Sequence, residues 1–449
     1  MVTQGGARKE VMKLERVGEI RIIENFKSEI LQNERNIGIY LPPSYHLNTG
    51  MYPVLYMHDG QHVFGEDRVG SSWMVDKMVD ALIEAELMKE IIVVAVDCIS
   101  DQRGNEYFHH MDSEGNIGEL YEEFLVSELK PFIDRSFRTL SGRLDTAIMG
   151  SSAGGLVSYH IGFRRHDIFG NIGLMSPYFI GTGISSGTDS TYDLPEKRLY
   201  QDVSFHPETK IWVDIGGAEG LILVRHVRKV VEELLAMGFR ASVDMMYLCD
   251  PEATHEQTEW ARRIRSPLIY FFGTIGTPIS VAVTGPDTVG ISGPTCQVNP
   301  IATYDSGFQM SLLDVSYTID NPDMVQVAPN GTMTAFKVGT TIVRFEWNGF
   351  QGAKTIRIIP DVPFTVDVSI RVLVPETTPP DARVYAGVEL DKVGQGVYGR
   401  TVRLPYNASF DFKISRSFFI REYSQHRRRF TADHTQQLEF VVDDWEILR

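Results

Sequence analysis

The chain has few cysteines and lacks long apolar runs. Its cysteines are Cys98, Cys249 and Cys296, and their odd number and wide spacing predict neither a disulfide framework nor a tetrahedral metal site. We expect them to be small buried side chains in a reducing compartment. No apolar stretch approaches the ~20 residues that a membrane-spanning helix needs. The sequence therefore excludes a disulfide-stapled scaffold and predicts no helical membrane span.

Positive charge and phosphate-binding or metal-binding motifs are also scarce. The net charge is −16, from 43 Lys and Arg against 59 Asp and Glu, whereas nucleic-acid binding needs a basic face. There is no glycine-rich phosphate loop and no pair of histidines at metal-ligand spacing, so we expect no nucleotide cofactor and no metal. The first 20 residues lack the apolar segment and cleavage site of a secretory signal, which favours a cytoplasmic protein.

Two patterns divide the chain. Up to about residue 273, short apolar runs alternate with amphipathic stretches of helical spacing, which predicts an α/β fold with a mostly parallel sheet. The strand candidates are 37–41, 53–57, 91–96, 146–149 and 211–215, and the helix candidates are 73–87, 120–132 and 225–237.

Beyond that segment, alternating β-branched residues and frequent turn signals predict two all-β sandwiches. Pro360–Pro363 has the composition of a linker between them. The expected domains are 1–273, 278–359 and 363–449.

A Gly-x-Ser-x-Gly motif stands at the end of an apolar run. Gly150, Ser152 and Gly154 follow the strand candidate 146–149, and 156–163 continue at helical spacing. This strand–turn–helix context is typical of a nucleophile elbow, in which a sharp turn exposes the central serine. The alternative is an ordinary turn serine.

An acid and a base follow the serine in the chain order of α/β-hydrolases. Glu219 comes just after the apolar run that ends at Ile215, and His255 lies on a turn before a helical stretch. A loop histidine can place its imidazole over the elbow. The alternatives are a solvated loop carboxylate and a surface histidine; Asp214, inside the strand, is expected to be structural.

The tetrahedral intermediate of such a reaction needs two N–H donors. We predict the backbone N–H groups of Ala153 and Gln61, the latter on the loop after an early strand. On that same loop, His58, Asp59 and His62 are expected to support the backbone rather than react.

Three further residues are candidates for lining a substrate cleft. Arg103 and Tyr107 follow a strand end, and Trp73 offers an aromatic wall for an acyl or phenolic group. An internal ion pair for Arg103 and a core position for Trp73 are equally good interpretations.

The first segment resembles the putative esterase family of α/β-hydrolases, which includes enterochelin esterases, feruloyl esterase domains, S-formylglutathione hydrolases and mycolyltransferases. The resemblance covers nearly all of 1–273, through runs 52–61 and 103–107, the elbow, Gly-x-x-Glu and Thr-His-Glu. It implies a triad of Ser152, Glu219 and His255, with Gln61 and Ala153 as oxyanion donors.

The two β segments carry resemblances of their own. Residues 278–359 resemble a bacterial group 2 Ig-like domain through 316–327, 330–335 and 338–341, which implies a spacer or adhesive module. This kind of domain and the one that the last segment resembles both occur more often in exported proteins, so export is the alternative location.

The last segment resembles a starch-binding module through 384–387 and 412–422. Its tryptophan is Trp445, and Phe418 and Phe419 stand where that family often has tryptophan, so sugar binding and a structural role both stay open. We interpret Arg427–Arg429 as a solvated face, with an anion site as the alternative.

The function expected from these observations is a serine carboxylesterase, acting on a small-molecule, carbohydrate-linked or siderophore-type ester. Two alternatives stay open. One is an acyltransferase to a sugar acceptor, and the other is a non-catalytic carbohydrate-binding protein on a silent hydrolase scaffold. We expect no nucleic-acid partner, and the β domains offer surfaces for a homo-oligomer.

Overall fold

A computed structural model describes residues 17–65, 71–99, 102–109, 115–181, 197–220, 224–416 and 420–446. Within these ranges the first segment combines strands and helices. Its strands are β1 (Glu19–Ser28), β2 (Asn33–Leu41), β3 (Val54–His58), β4 (Ile92–Val96), β5 (Thr146–Ser151), β6 (Asn171–Met175), β7 (Ile180–Gly181), β8 (Lys197–Arg198), β9 (Lys210–Gly216) and β10 (Met245–Asp250). Its helices are α1 (Val75–Glu84), α2 (Arg103–Glu106), α3 (Gly118–Glu123), α4 (Lys130–Ser136), α5 (Ala153–Arg164), α6 (Val224–Met237), α7 (Gln257–Arg263) and α8 (Arg265–Phe272).

Eight of these strands form one sheet, in the order β1-β2-β4-β3-β5-β6-β9-β10. The β1–β2 and β2–β4 pairs are antiparallel, and the pairs from β4 to β10 are parallel. Every residue of β3, β4 and β5 is buried, which explains the unbroken apolar runs that predicted them. The expected α/β fold class is confirmed. Because the parallel strands end at one edge, the loops after β3, β5, β6, β9 and β10 all begin there.

Helices enclose both faces of this sheet. Alternate residues of β3 enter two separate cores, Val54 and Tyr56 one of them and Leu55 and Met57 the other. The helix predicted over 120–132 is interrupted by a π-helical stretch, Phe124–Leu129. No helix in the described ranges is long and apolar enough to cross a membrane.

The middle segment consists of short strands. They are β11 (Pro278–Thr284), β12 (Thr288–Ser292), β13 (Cys296–Gln297), β14 (Asn299–Tyr304), β15 (Gln309–Ser311), β16 (Ser316–Ile319), β17 (Val325–Val327), β18 (Thr332–Ala335), β19 (Gly339–Trp347) and β20 (Phe350–Asp361). Strand β20 continues to Asp361, so the predicted linker Pro360–Pro363 begins inside a strand.

This middle segment packs directly on the first. The ring of Phe308 meets Trp212 of β9 edge to face, with centroids 5.9 Å apart. The backbone N–H of Cys249 donates to Oγ of Ser311 over 2.9 Å. A free-standing spacer would share neither a core nor hydrogen bonds with the sheet, so the spacer interpretation does not describe this arrangement.

The last segment has its own apolar core. Its strands are β21 (Thr365–Leu373), β22 (Val384–Tyr385), β23 (Glu389–Gly394), β24 (Val397–Pro405), β25 (Ser409–Phe412), β26 (Ser415–Arg416), β27 (Ile420–Arg421), β28 (Arg428–Thr431) and β29 (Gln436–Val441). Trp445 follows the last strand, is buried, and donates its indole N–H to Oγ1 of Thr378 over 2.8 Å. Its ring is therefore not an exposed platform for a sugar. Phe418 and Phe419 lie outside the described residues, and the three-domain division stays a proposal.

Candidate active site

Ser152 occupies a strained turn between β5 and α5. Its φ of 57° and ψ of −124° are backbone angles that L-residues rarely adopt, and its side chain is partly exposed. Small neighbours make the turn sterically feasible, because a Cβ on Gly150 would lie 2.6 Å from the carbonyl carbon of Gly154. These are the features of a nucleophile elbow.

Glu219 and His255 form a hydrogen-bonded pair. Nδ1 of His255 lies 2.9 Å from Oε2 of Glu219. An ionised carboxylate only accepts, so Nδ1 carries the hydrogen and donates it, which leaves Nε2 as the acceptor nitrogen. The Glu219 side chain is fully buried and that of His255 is 27% exposed. The loop carboxylate and loop histidine expected from the sequence are thus brought together.

A chain of contacts links this pair to the elbow through the end of β6. The N–H of Ser152 donates to the carbonyl of Met175 over 3.1 Å. The next residue, Ser176, donates its hydroxyl to Oε1 of Glu219 over 2.5 Å. One carboxylate oxygen of Glu219 thus faces the β6 end beside the elbow, while the other faces His255.

Buried charge surrounds Glu219. The guanidinium of Arg263 lies 3.4 Å from Oε1 of Glu219 and 3.2 Å from Oδ1 of Asp214. Asp214 also accepts the indole N–H of Trp212 over 2.8 Å. Burial raises the pKa of Asp214 to about 6, although Arg263 opposes that shift. Asp214 is structural, as its place inside a strand predicts: it shares the buried cation that also neutralises Glu219.

Two tryptophans pack behind His255. The ring of His255 meets Trp260 edge to face, with centroids 4.9 Å apart, and Trp260 in turn contacts Trp73 at 5.4 Å. Trp73 is only 4% exposed, so its ring contacts protein rather than solvent. The structure therefore places Trp73 in the core against Trp260, rather than on a cleft wall.

The loop after β3 carries Gln61 in a short 3-10 helix, Gly60–His62. The Gln61 side chain makes two hydrogen bonds with Cys98. Its Nε2–H donates to Sγ of Cys98 over 3.0 Å, and its Oε1 accepts the Cys98 N–H over 3.1 Å. Ala153 is the first residue of α5, where an N–H has no acceptor within its own helix. Both predicted oxyanion donors therefore belong to backbone at the same sheet edge.

An ion pair fixes the loop after β3, which carries the predicted donor Gln61. Asp59 has left-handed backbone angles and accepts two parallel hydrogen bonds from Arg103, at 2.7 and 2.8 Å. Burial alone would raise the pKa of Asp59, but the guanidinium outweighs it and the pKa lies below its usual value. A Cβ on Gly154 would lie 3.3 Å from Oδ2 of Asp59, which places the loop against the start of α5.

Tyr107 and His58 form the floor below that loop. The Tyr107 hydroxyl accepts the Asp59 N–H over 3.1 Å, and its ring is fully buried. His58 is also buried, and Nδ1 lies 3.0 Å from the Tyr121 hydroxyl. Tyr107 therefore supports the loop from behind, and Arg103 is the one of the three cleft candidates with an appreciably exposed side chain, at 32%.

Sequence reasoning missed Ser176 and Arg263. Ser176 follows β6, whose apolar run 172–175 was not among the strand candidates, although the same pattern would have found it. Arg263 ends α7, and no local pattern marks an arginine that will pair with two buried carboxylates.

The sheet order and the elbow define the α/β-hydrolase class. The chain belongs to the putative esterase family, whose model matches residues 28–270, more than half of its length. Family membership supports a carboxylic ester hydrolase.

Among known proteins, the chain is similar to an endo-1,4-beta-xylanase/feruloyl esterase of Xylanibacter ruminicola, at 30% identity over 249 residues. The alignment covers 53% of this chain and 29% of that protein, so the chain spans less than a third of that relative's length. It is also similar to YbbA of Bacillus subtilis, at 22% identity over 55% of this chain and 96% of that protein.

Two solved structures illustrate the structural similarity. A ferulic acid esterase of Anaeromyces mucronatus is 19% identical, with 60% of this chain and 92% of that chain covered and a TM-score of 0.41. The enterobactin esterase FES of Shigella flexneri is 17% identical, with 57% and 59% covered and a TM-score of 0.43.

Proposed function

We propose that the protein is a serine esterase with a catalytic triad of Ser152, His255 and Glu219. The observation that carries this proposal is the strained Ser152 at the sheet edge where Glu219 and His255 are hydrogen-bonded to each other. Strain at a partly exposed serine is uncommon outside functional sites. Family membership, which covers this whole arrangement, is independent support.

In the first half of the reaction, Oγ of Ser152 attacks the ester carbonyl carbon. Its proton passes to Nε2 of His255, and Glu219 stabilises the resulting imidazolium and holds its tautomer. The negative oxygen of the tetrahedral intermediate accepts hydrogen bonds from the N–H groups of Gln61 and Ala153. The intermediate collapses, the C–O bond to the alcohol breaks, and His255 returns the proton to the leaving alcohol.

In the second half, water attacks the acyl-enzyme. His255 accepts a proton from the water, the same two N–H donors stabilise the second oxyanion, and the bond to Oγ of Ser152 breaks. His255 then returns the proton to Ser152, and the carboxylic acid leaves. The reaction consumes one water and needs no cofactor.

For the substrate we propose an aromatic acyl ester linked to a carbohydrate, with a siderophore-type ester as the second class. The carbohydrate-linked class is supported by the Xylanibacter ruminicola relative, whose name includes feruloyl esterase. Hydrolysis of methyl ferulate, feruloylated arabinose and a p-nitrophenyl acyl series would test the first class, because the first two share an aromatic acyl group and differ in the alcohol.

The decisive test compares the wild type with Ser152→Ala on these esters. We expect a loss of at least ~10³-fold in kcat, since removal of a triad member leaves only the oxyanion hole and binding. Ser158→Ala is the matched control: Ser158 lies in α5, which follows Ser152, and donates its hydroxyl to the Gly154 carbonyl over 2.8 Å. It should keep most of the activity.

Other outcomes would identify the alternatives. Acyl transfer that outruns hydrolysis when a sugar acceptor is added would point to an acyltransferase. Failure of a fluorophosphonate probe to label Ser152, together with absent turnover, would favour a non-catalytic binding protein.

A further inference from the structure

Strands β25 and β28 of the last segment pair antiparallel. Together with Arg427 they form the docking ribbon (409–412 and 427–431), which lies against the triad acid. The N–H of Gly220 donates to the carbonyl of Ser409 over 3.0 Å, and Glu219 forms an antiparallel bridge with Phe410. Gly220 has a φ of +68°, and a Cβ there would lie 2.9 Å from the Phe410 ring. The backbone of the acid loop (217–220) is thus held by a strand almost 200 residues later in the chain.

The arginine just before β28 contacts the base loop (251–256). Nη1 of Arg427 donates to Oε2 of Glu256 over 2.6 Å, and Glu256 directly follows His255. The same guanidinium donates Nη2–H to the carbonyl of Asp411 over 2.8 Å and pairs through Nε with its carboxylate. The side chains of Arg427 and Glu256 are 30% and 23% exposed, so the ion pair is partly shielded from water.

A second arginine supports the same loop from its other end. Nη2 of Arg429 donates to Oε2 of Glu252 over 2.7 Å. Arg428, between the two, instead binds Glu422 inside the last segment over 2.8 Å. The contacts of Arg427–Arg429 therefore alternate between the base loop and the last segment, and because the side chains of Arg429 and Glu252 are 49% and 74% exposed, only part of the predicted solvated face is an interface.

We propose that the docking ribbon is part of the active site and that Arg427 is a positioning residue, which fixes the loop of His255 through Glu256. This inference rests on the proposed function, since it concerns the same triad. His255 is carried by a loop rather than by a strand or helix, and its ring must stay within about half an ångström of its productive position. Glu219 contacts the docking ribbon directly through Phe410, and His255 is linked to it through Glu256 and Arg427, so the ribbon holds the acid and the base in register.

The proposal assigns the last segment a catalytic support role instead of an independent sugar-binding one. A looser base loop should impair proton transfer while leaving the contacts that bind the ester intact. The expected signature is therefore a lower kcat at nearly constant KM.

The test uses the full chain with Arg427→Met, Glu256→Gln and the double variant. Each single change should lower kcat by about 10-fold, since small misplacements of catalytic groups have effects of this size, while KM changes less than about 2-fold. The double variant should lose no more than either single one, because both remove the same contact. Arg427→Lys, which keeps the charge but cannot hold Glu256 and Asp411 together, should recover part of kcat.

Arg383→Met is the matched control, because Arg383 makes a bidentate pair with Glu389 inside the last segment, at 2.6 Å for both bonds. It should keep the wild-type kcat. Thermal unfolding of every variant separates misfolding from misplacement, and Glu256→Gln tests the contact from the other side if Arg427→Met unfolds.

Wild-type kcat in both Arg427→Met and Glu256→Gln, with Ser152→Ala inactive, would overturn the positioning role and leave the esterase intact. Additive losses in the double variant would overturn the route through Glu256. Activity that survives in Ser152→Ala would instead overturn the proposed function itself.

Discussion

The hydroxyl of Ser176 donates to Oε1 of Glu219 over 2.5 Å. Oγ of Ser176 in turn accepts hydrogen bonds from the indole N–H of Trp260 at 3.0 Å and from Nη2 of Arg263 at 2.8 Å. Ser176 thus accepts from two buried donors and donates one hydrogen bond to Glu219. This fixes the carboxylate so that its other oxygen, Oε2, faces His255.

Replacement of Ser176 by alanine should therefore reduce both stability and turnover. Loss of the hydroxyl leaves the N–H groups of Trp260 and Arg263 without that acceptor, which should lower the free energy of unfolding by about 1–3 kcal/mol. A freer Glu219 should lower kcat by about 10-fold. Chemical denaturation and steady-state kinetics measure the two effects.

Ser266→Ala is the control for that variant. Ser266 is also buried and accepts the N–H of Gln309 over 3.0 Å, away from the triad. It should lose stability but keep kcat. Equal kcat losses in the two variants would show that Ser176 acts through general stability alone.

The sequence predicted β3, β4 and β5 well because these strands are buried on both faces. The runs 53–57, 91–96 and 146–149 lie within a residue or two of β3, β4 and β5. Strand β1 was missed, since it lies at the sheet edge and most of its residues are exposed, which dilutes the apolar signal. Order along the chain also predicted the Glu219–His255 pair, because the loops after parallel strands meet at one edge.

Contacts between distant segments could not be predicted in this way. Arg427 and Glu256 are 171 positions apart, and neither lies in a pattern that names its partner. Trp73 and Tyr107 illustrate a related limit, since an aromatic residue near a strand end can face a cleft or a core. Only the packing of neighbouring elements decides between the two, and here it buries both rings.

The elbow glycines should differ in their tolerance of alanine. A Cβ on Gly150 would lie 2.6 Å from backbone atoms of Gly154, which cannot move without displacing Ser152. Gly150→Ala should therefore destabilise the protein by about 1–3 kcal/mol through overpacking and abolish most of its activity.

Gly154→Ala is the paired change, because its Cβ would meet Asp59 at 3.3 Å and His58 at 3.5 Å, which are close contacts with side-chain atoms. Alanine also favours the helix by about 1 kcal/mol. We expect a near-wild-type unfolding midpoint and at most a few-fold lower kcat. Equally severe effects at both positions would contradict the geometry of the elbow described here.

The Asp59–Arg103 ion pair should be needed to hold the loop of Gln61, the proposed oxyanion donor, in place. Arg103→Met leaves a largely buried carboxylate without its partner, which should cost about 2 kcal/mol of stability. Because Gln61 lies two residues from Asp59, kcat should also fall, by about 10- to 100-fold for a displaced oxyanion donor. Arg103→Lys keeps the charge but not the two parallel donors, so its values should be intermediate.

Arg240→Met provides the comparison for this pair. Arg240 makes an equally bidentate contact with Asp244, at 2.7 and 2.8 Å, on an exposed loop. It should change neither stability nor kcat measurably. A wild-type kcat in Arg103→Met would mean that other contacts hold Gln61.

His58 should make the protein sensitive to acid. Burial lowers its pKa from 6.5 to about 4, and no described residue accepts from or donates to its Nε2. Between these values the unfolded chain binds a proton that the folded protein does not, so stability is fully present above pH 6.5 and falls as the pH drops towards 4. The loss attributable to this residue should reach about 3 kcal/mol. Denaturation curves of the wild type and His58→Gln between pH 7 and 4 isolate it, because the variant lacks the imidazole. The stability advantage of the wild type should shrink over this range, and a difference that does not depend on pH would show that the pKa of His58 is the same in the folded and unfolded states.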